Sequence, residues 1–171
     1  PRPFDILAHV HIVSREVGLV LPTPKKFTLV SGAAEGESPL NAFDNALLAS
    51  GIGNLNLLRV SSILPPKAEL VEKLDIPPGA LTPTAYGYIT STTPGEEIAA
   101  AVGIGFSEDT YGVIMEWEGK GTAADAEREV RRMVEEAFRT RNLPLKDVMV
   151  KAVGHRVERC GCAFAAVALW Y

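Results

Sequence analysis

The chain has 171 residues, of which 21 are acidic and 17 basic, giving a formal charge of −4. That length suits one domain able to bury roughly 70% of its unfolded surface, and the acidic balance argues against a nucleic-acid-binding face. No apolar run reaches the roughly 18 residues of a membrane span and no signal-peptide pattern heads the sequence, so a cytoplasmic protein without membrane or nucleic-acid partners is expected.

Residues 4–13 alternate weakly, with Ala8, Val10 and Ile12 against His9 and His11, which suits an edge strand. Neither these histidines nor His155 have partners at metal or triad spacing, so no metal site is expected. Pro22 and Pro24 break the chain before a strand near 27–31. The run Gly32-Ala-Ala-Glu-Gly-Glu37 reads as a flexible turn. It lacks both the Gly-x-Gly-x-x-Gly spacing and the Gly-Lys-Ser/Thr ending of a nucleotide loop.

A helix follows, with Ser38 as its cap, Pro39 in its first turn and Gly51 at its C-terminal end. Leu40, Phe43, Leu47 and Leu48 form its apolar stripe. Asp44 falls on or near that stripe, an expensive place for a charge without a partner. A solvated helix aspartate is the plainer alternative.

Residues 55–60 read as a buried strand leading into Ser61-Ser62. Pro65 and Pro66 cannot donate ladder hydrogen bonds and stop the strand close by. A Ser-Ser peptide held at a sharp strand end can be attacked by the hydroxyl of its second serine, although two small polar residues usually just end a strand. Asn56 stands six residues before Ser62, so strand alternation puts both side chains on one face. An amide there could polarise the Ser61 carbonyl, or it could be a turn asparagine like Asn54.

Strands are expected near 85–91, 98–106 and 111–118. In the last, alternation sends Val113, Met115 and Trp117 to one face and Ile114, Glu116 and Glu118 to the other. Two carboxylates on one face favour each other's protonation, and partial burial adds to this. A raised pKa is what an acid returning a proton needs near neutral pH, unless the pair simply faces solvent. A second helix spans 123–141, capped by Thr122, with Val130, Met133, Val134, Ala137 and Phe138 as its stripe. Its Glu127/Arg131 and Glu135/Arg139 pairs have i,i+4 spacing.

Strands near 148–157 and 162–170 close the sequence. The last is apolar on both sides, so it is central or covered by another subunit. Cys160 and Cys162 are too close for an unstrained disulfide and too few for a zinc site, which leaves them as reduced, buried hydrophobes. This order of elements points to an α+β domain rather than βαβ repeats.

The run from Ser31 to Asp44 leads through Gly51-Ile-Gly-Asn-Leu-Asn56 into Arg59-Val-Ser-Ser-Ile-Leu-Pro-Pro66. Further on come Pro83-Thr-Ala-Tyr-Gly-Tyr88, Ile114-Met-Glu-Trp-Glu-Gly-Lys120 and Gly161-Cys-Ala-Phe-Ala-Ala166. In this order the blocks resemble the pyruvoyl-dependent arginine decarboxylases, from about Phe27 to Tyr171. The first 24 residues do not match cleanly, and Ala33 and Ala34 fall where relatives can carry hydroxyls.

The resemblance implies an αββα sandwich, two helices packed on a predominantly antiparallel β core. It also implies a homotrimer, with a dimer of trimers as a larger option, and active sites between subunits. It implies that Ser62 attacks the carbonyl of Ser61 and that the resulting ester eliminates and cuts the single domain 1–171 into a β chain, 1–61, and an α chain, 62–171. Residue 62 becomes a pyruvoyl cap whose ketone forms an imine with arginine and replaces pyridoxal phosphate as electron sink, without a metal; the products are agmatine and CO2.

The resemblance further places the proton donor at Glu116, an orienting amide at Asn56 and the guanidinium partner at Asp44. Leu40, Leu47 and Ile63 would line the aliphatic part of the site, although all three suit a core equally well. Two other readings stay open: the same cofactor with another basic amino acid, and a trimeric binding protein of this fold that does not cut itself. The intact Ser61-Ser62 pair together with Glu116 argues against the second.

Overall fold

The computed structural model describes residues 21–171, so the edge strand expected over 4–13 lies outside the described residues. Two sheets carry the described residues. The first contains β1 (Lys26–Glu35), β2 (Asn56–Arg59), β4 (Glu69–Leu70), β5 (Leu81–Ser91) and β9 (Gly161–Trp170), in the order β2-β5-β9-β1-β4. The second contains β3 (Ile63–Leu64), β6 (Glu97–Phe106), β7 (Gly112–Lys120) and β8 (Asp147–Arg156), in the order β3-β7-β6-β8. Among the described residues only β1–β4 and β2–β5 pair in parallel.

Phe27, Val102, Ile104, Ile114 and Val167 fill the space between the sheets. On the outer face of the first sheet lies α1 (Pro39–Ala49), whose Ala42, Ala46 and Leu47 pack on Phe164 and Ala166. On the outer face of the second lies α2 (Ala123–Thr140), with Val130 against Ala99 and Ala101, and Val134 and Phe138 against Val113. The layers therefore run α, β, β, α. Strand β9 is buried from Gly161 to Leu169 because α1 covers one of its faces and the second sheet the other, which explains its unbroken apolar sequence.

The caps of α1 form as its sequence dictates: the Asn41 N–H donates to Ser38 Oγ at 3.3 Å, and Gly51 adopts φ +85° just past the end. Its buried face differs from the expected stripe. Leu40 and Leu48 are 75% and 52% exposed, and the face against the sheet is Ala42, Ala46 and Leu47. The cause lies in the stretch expected to be a turn. Gly32 to Glu35 extend β1 in register with β9 as far as Glu35 opposite Gly161. Gly32 then lies so near the helix backbone that a Cβ there would sit 2.3 Å from the Ala46 carbonyl oxygen. A helix this close to a sheet needs small residues such as Ala42 and Ala46 underneath, and Leu40 and Leu48 are turned outward.

In α2 a capping box ties Thr122 to Asp125, and the expected stripe is buried except for half-exposed Met133. Arg131 pairs with Glu127 at 2.9 Å. The expected Glu135/Arg139 pair does not form; Arg132 lies between Glu129 and Glu136. Cys160 and Cys162 are free, buried thiols, and burial pushes Cys162 up to about 12.

Candidate functional site

The chain passes from the first sheet to the second between Arg59 and Ile63. On the near side, Arg59 pairs with Thr84 of β5 and the Val60 N–H donates to the Thr84 carbonyl at 3.1 Å. On the far side, the Ser62 carbonyl accepts the Ile114 N–H at 2.7 Å, and Ile63 and Leu64 pair with Val113 and Gly112 of β7. The Ser61–Ser62 peptide spans this seam with both flanks held. Ser61 is exposed, and among the described residues no hydrogen bond engages its carbonyl. That carbonyl is open to attack while the chain on either side is fixed.

Ser62 is half-buried and stands opposite Ile114, two residues before buried Leu64. Leu64 and Ile114 both belong to the core between the sheets, so ladder alternation turns Ser62 towards that core. Glu116 lies two residues beyond Ile114 on the same face of β7, in the diagonal neighbour position.

The Glu116 side chain is 21% exposed. Burial raises its pKa; the Arg59 guanidinium opposes this, and the charge of Glu118 adds to it. Room for the two carboxylates comes from Gly87 in the facing strand β5. A Cβ on Gly87 would fall 2.5 Å from Glu118 Oε2 and 3.4 Å from the Glu116 Cβ. Sequence reasoning missed Gly87, although a lone glycine between Tyr86 and Tyr88 in a strand is the signal of a close approach.

Arg59 was missed too. It is the last residue of β2, an edge strand whose Leu58 is 40% exposed and which is therefore not the buried strand expected. Where β2 leaves the sheet, the Tyr86 carbonyl faces an open edge. Arg59 Nη2 donates to that carbonyl at 2.7 Å, and the guanidinium stands 4.7 Å from the centre of the Tyr86 ring. The same nitrogen lies 3.8 Å from Glu116 Oε1, an ion pair too long for a hydrogen bond. The available signal was a cation closing an otherwise apolar run three residues before Ser62.

The other expected residues are placed differently. Asn56 starts β2, and its amide donates to the Gly79 carbonyl at 2.8 Å. Because β2 ends at Arg59 and the chain changes sheets, the alternation that was to align Asn56 with Ser62 is broken. Leu47 is a core residue under α1, 7% exposed. Ile63 is 43% exposed beside Ser62. Asp44 and Leu40 stand exposed on α1, and Asp44 makes no ion pair among the described residues. Within one chain the structure thus gathers Ser61, Ser62, Ile63 and Glu116 at the seam and leaves Asp44 and Leu40 on the outer helix. An aromatic path leads between the two regions: Phe43, next to Asp44, meets Tyr88 at 4.5 Å between ring centres, and Tyr88 meets Tyr86 at 6.3 Å.

A family model described as pyruvoyl-dependent arginine decarboxylase matches residues 26–171. A pyruvoyl-dependent arginine decarboxylase of Methanocaldococcus jannaschii is 53% identical over 150 residues, covering 86% of this chain and 91% of the relative. Relatives of the same description from Methanococcus vannielii and Pyrococcus abyssi are 47% and 45% identical, each over 86% of this chain and 92% and 96% of their own lengths.

Proposed function

We propose a division of labour for this chain, which belongs to the pyruvoyl-dependent arginine decarboxylase family: Ser62 becomes the pyruvoyl group, Glu116 returns the proton, and Asp44 holds the guanidinium. The enzyme removes CO2 from arginine, leaving agmatine, and its electron sink is a covalently bound pyruvoyl group rather than pyridoxal phosphate.

The observation that carries the assignment to Ser62 is the Ser61–Ser62 peptide, fixed on both flanks and unbonded at its own carbonyl. The Ser62 Oγ bonds to the Ser61 carbonyl carbon as the Ser62 nitrogen leaves, so the amide becomes an ester. Loss of the Ser62 α-proton then expels the Ser61 carboxylate. The unsaturated residue 62 takes up water and releases ammonia, leaving a ketone in place of the serine Cα and its amine. The seam fits this group, because Ile63 and Leu64 keep the new end of the α chain paired to β7 beside Glu116.

A pyruvoyl group at residue 62, held by the Ile63 and Leu64 pairing to β7, would supply the electron sink for the pair left on Cα by departing CO2. Glu116 is placed to give Cα its proton: it is largely buried, shares its face with Ser62, and has a raised affinity for the proton. A carboxylate at Asp44 suits a planar guanidinium, which can donate two parallel hydrogen bonds where an ammonium cannot. Since Asp44 and Leu40 lie on the outside of α1, a site including them and Ser62 needs a second subunit, which the homotrimer implied by the resemblance would supply. Exposed Leu40, Leu48, Leu58, Ile63 and Leu81 supply apolar surface for such packing.

The test is mass spectrometry of the purified protein under denaturing conditions. Two chains that divide between residues 61 and 62, and one intact chain for Ser62→Ala, are the expected results. Cleavage at another bond, or in the variant, removes Ser62 from this role. Turnover in an arginine–lysine competition should favour arginine.

A further inference from the structure

We infer that Arg59 serves two carboxylates in succession, holding Glu116 while the chain is intact and the newly formed carboxylate of Ser61 once it is cut. The inference rests on cleavage between Ser61 and Ser62. Arg59 is a positioning residue in it, acting on the reaction through Glu116.

The geometry favours a change of partner. Of the five N–H donors of the guanidinium, the short bond goes to the Tyr86 carbonyl at 2.7 Å, which ties the group to the open edge of β5. Its contact with Glu116 is the long one, 3.8 Å, and the Arg59 side chain is 51% exposed. Among the described residues donors are left over, and the weaker of the two attachments is the one to Glu116.

Cleavage changes what surrounds this group. Before it, Ser61 offers a neutral carbonyl in a chain held on both flanks. After it, Ser61 ends in a carboxylate two residues from Arg59, no longer linked to β3, and kept near by the Val60 bond to Thr84. An anion so close and so exposed competes directly for the free guanidinium donors.

The consequence falls on Glu116. Glu118 faces it from its own strand, Arg59 reaches it from β2, and β5 contributes the Tyr86 carbonyl to Arg59 and the bare Gly87. On β6 its partner is Val102, beyond which β8 carries exposed Lys151. When Arg59 turns to Ser61, burial and Glu118 act on Glu116 without their nearest opponent. Cutting the chain thereby makes the proton donor as well as the electron sink.

Carboxyl carbon NMR on glutamate-labelled full-length protein tests this, with the Glu116 signal assigned by its loss in Glu116→Gln. The processed protein and uncut Ser62→Ala are titrated side by side. Glu116 should titrate on the order of one pH unit higher in the processed protein, the effect of removing an adjacent opposite charge. Arg59→Met should raise the midpoint by a similar amount in the Ser62→Ala background and leave it nearly unmoved in the processed protein. Arg59→Lys, which keeps the charge, should hold the uncut midpoint near its starting value. If Arg59→Met does not fold, the comparison of cut and uncut protein and the lysine variant decide.

Equal midpoints in cut and uncut protein, or an equal Arg59→Met shift in both, would overturn the exchange. A denaturing gel separates the two possible failures. Two bands with equal midpoints sink the Arg59 exchange alone, whereas a single band for the wild type sinks the cleavage reading and the exchange with it.

Discussion

Gly32→Ala adds one methyl group at the closest approach of α1 to its sheet. The new Cβ would lie 2.3 Å from the Ala46 carbonyl oxygen, 2.6 Å from the Ser50 nitrogen and 3.1 Å from the Ala49 carbonyl carbon. Ordinary contact begins about 1 Å further out, and none of these atoms can yield alone, because the Ser50 N–H already donates to the Ala46 carbonyl at 2.9 Å. The last turns of the helix must move as a body, loosening Ala46 and Leu47 from Phe164. Overpacking typically costs about 1–3 kcal/mol, and a clash with helix backbone rather than a flexible side chain belongs at the upper end, about 3 kcal/mol.

For a chain of 171 residues that cost corresponds to a fall in Tm of roughly 6–12 °C, measured at matched protein concentration. Gly79→Ala is the control. Its φ is +81° and its Cβ would meet nothing within 4 Å, so only the backbone penalty of about 1 kcal/mol applies. Because α1 carries Asp44 but not the seam, Gly32→Ala should still cut itself while its KM for arginine rises. A Tm within about 2 °C of wild type would refute the close approach of α1 to β1. Lost cleavage would refute the separation of the two regions.

Glu116→Gln should lose about 10²–10⁴-fold in turnover while still binding arginine. The same variant should gain stability at neutral pH. The native state holds the Glu116 proton to higher pH than the unfolded chain, so wild-type stability falls as pH rises above the ordinary carboxylate range, and the glutamine does not share that loss. Urea midpoints that coincide for the two proteins at neutral pH would argue against a raised Glu116. Glu35 behaves in the opposite way. Burial works against its charge, but the backbone N–H groups of Glu158, Arg159 and Cys160, together with His155, outweigh it and lower the pKa to about 2. Its contribution is full above its ordinary value and fades as pH falls towards 2, so Glu35→Gln should lose about 1–2 kcal/mol at pH 7, after allowance for solvent, and show a flatter acid limb. Asp44→Asn should raise the KM for arginine, by the equivalent of about 2–5 kcal/mol if assembly buries the pair, with self-cleavage unchanged. An unchanged KM would take Asp44 out of the site.

Hydrophobic periodicity made the long elements legible, because a helix or strand packed on one side repeats its apolar residues at a fixed spacing. The α2 stripe came directly from that. Strand β9 lacks alternation, which by itself marked a strand covered on both faces. Failures occurred where the neighbour, not the segment, decides. Nothing within Leu40, Phe43, Leu47 and Leu48 says that Gly32 presses on the helix from below, so Leu40 and Leu48 looked as buried as Leu47 is. The Glu116/Glu118 face could be read from alternation alone, but Arg59 and Gly87 reach it from β2 and β5, and such partners become visible only when the strands are paired.

The same interlacing of segments explains how the fold can tolerate a cut at its seam. Residues 1–61 would contribute β1, α1 and β2, and residues 62–171 everything else. Strand β1 is not peripheral in this division. It lies inside the first sheet, joined to β9 along ten residue pairs from Lys26 to Glu35, while β2 is held by β5 and α1 by the core over Phe164. The Ser61–Ser62 bond belongs to neither ladder, so breaking it removes no sheet hydrogen bond from the folded state. What changes is the unfolded state, where two separate chains have more freedom than one. Processing should therefore leave the folded structure nearly unaltered while making its stability depend on protein concentration. A seam between sheets, where the chain is fixed on both sides and no hydrogen bond among the described residues holds the Ser61 carbonyl, combines an accessible carbonyl with a small structural cost.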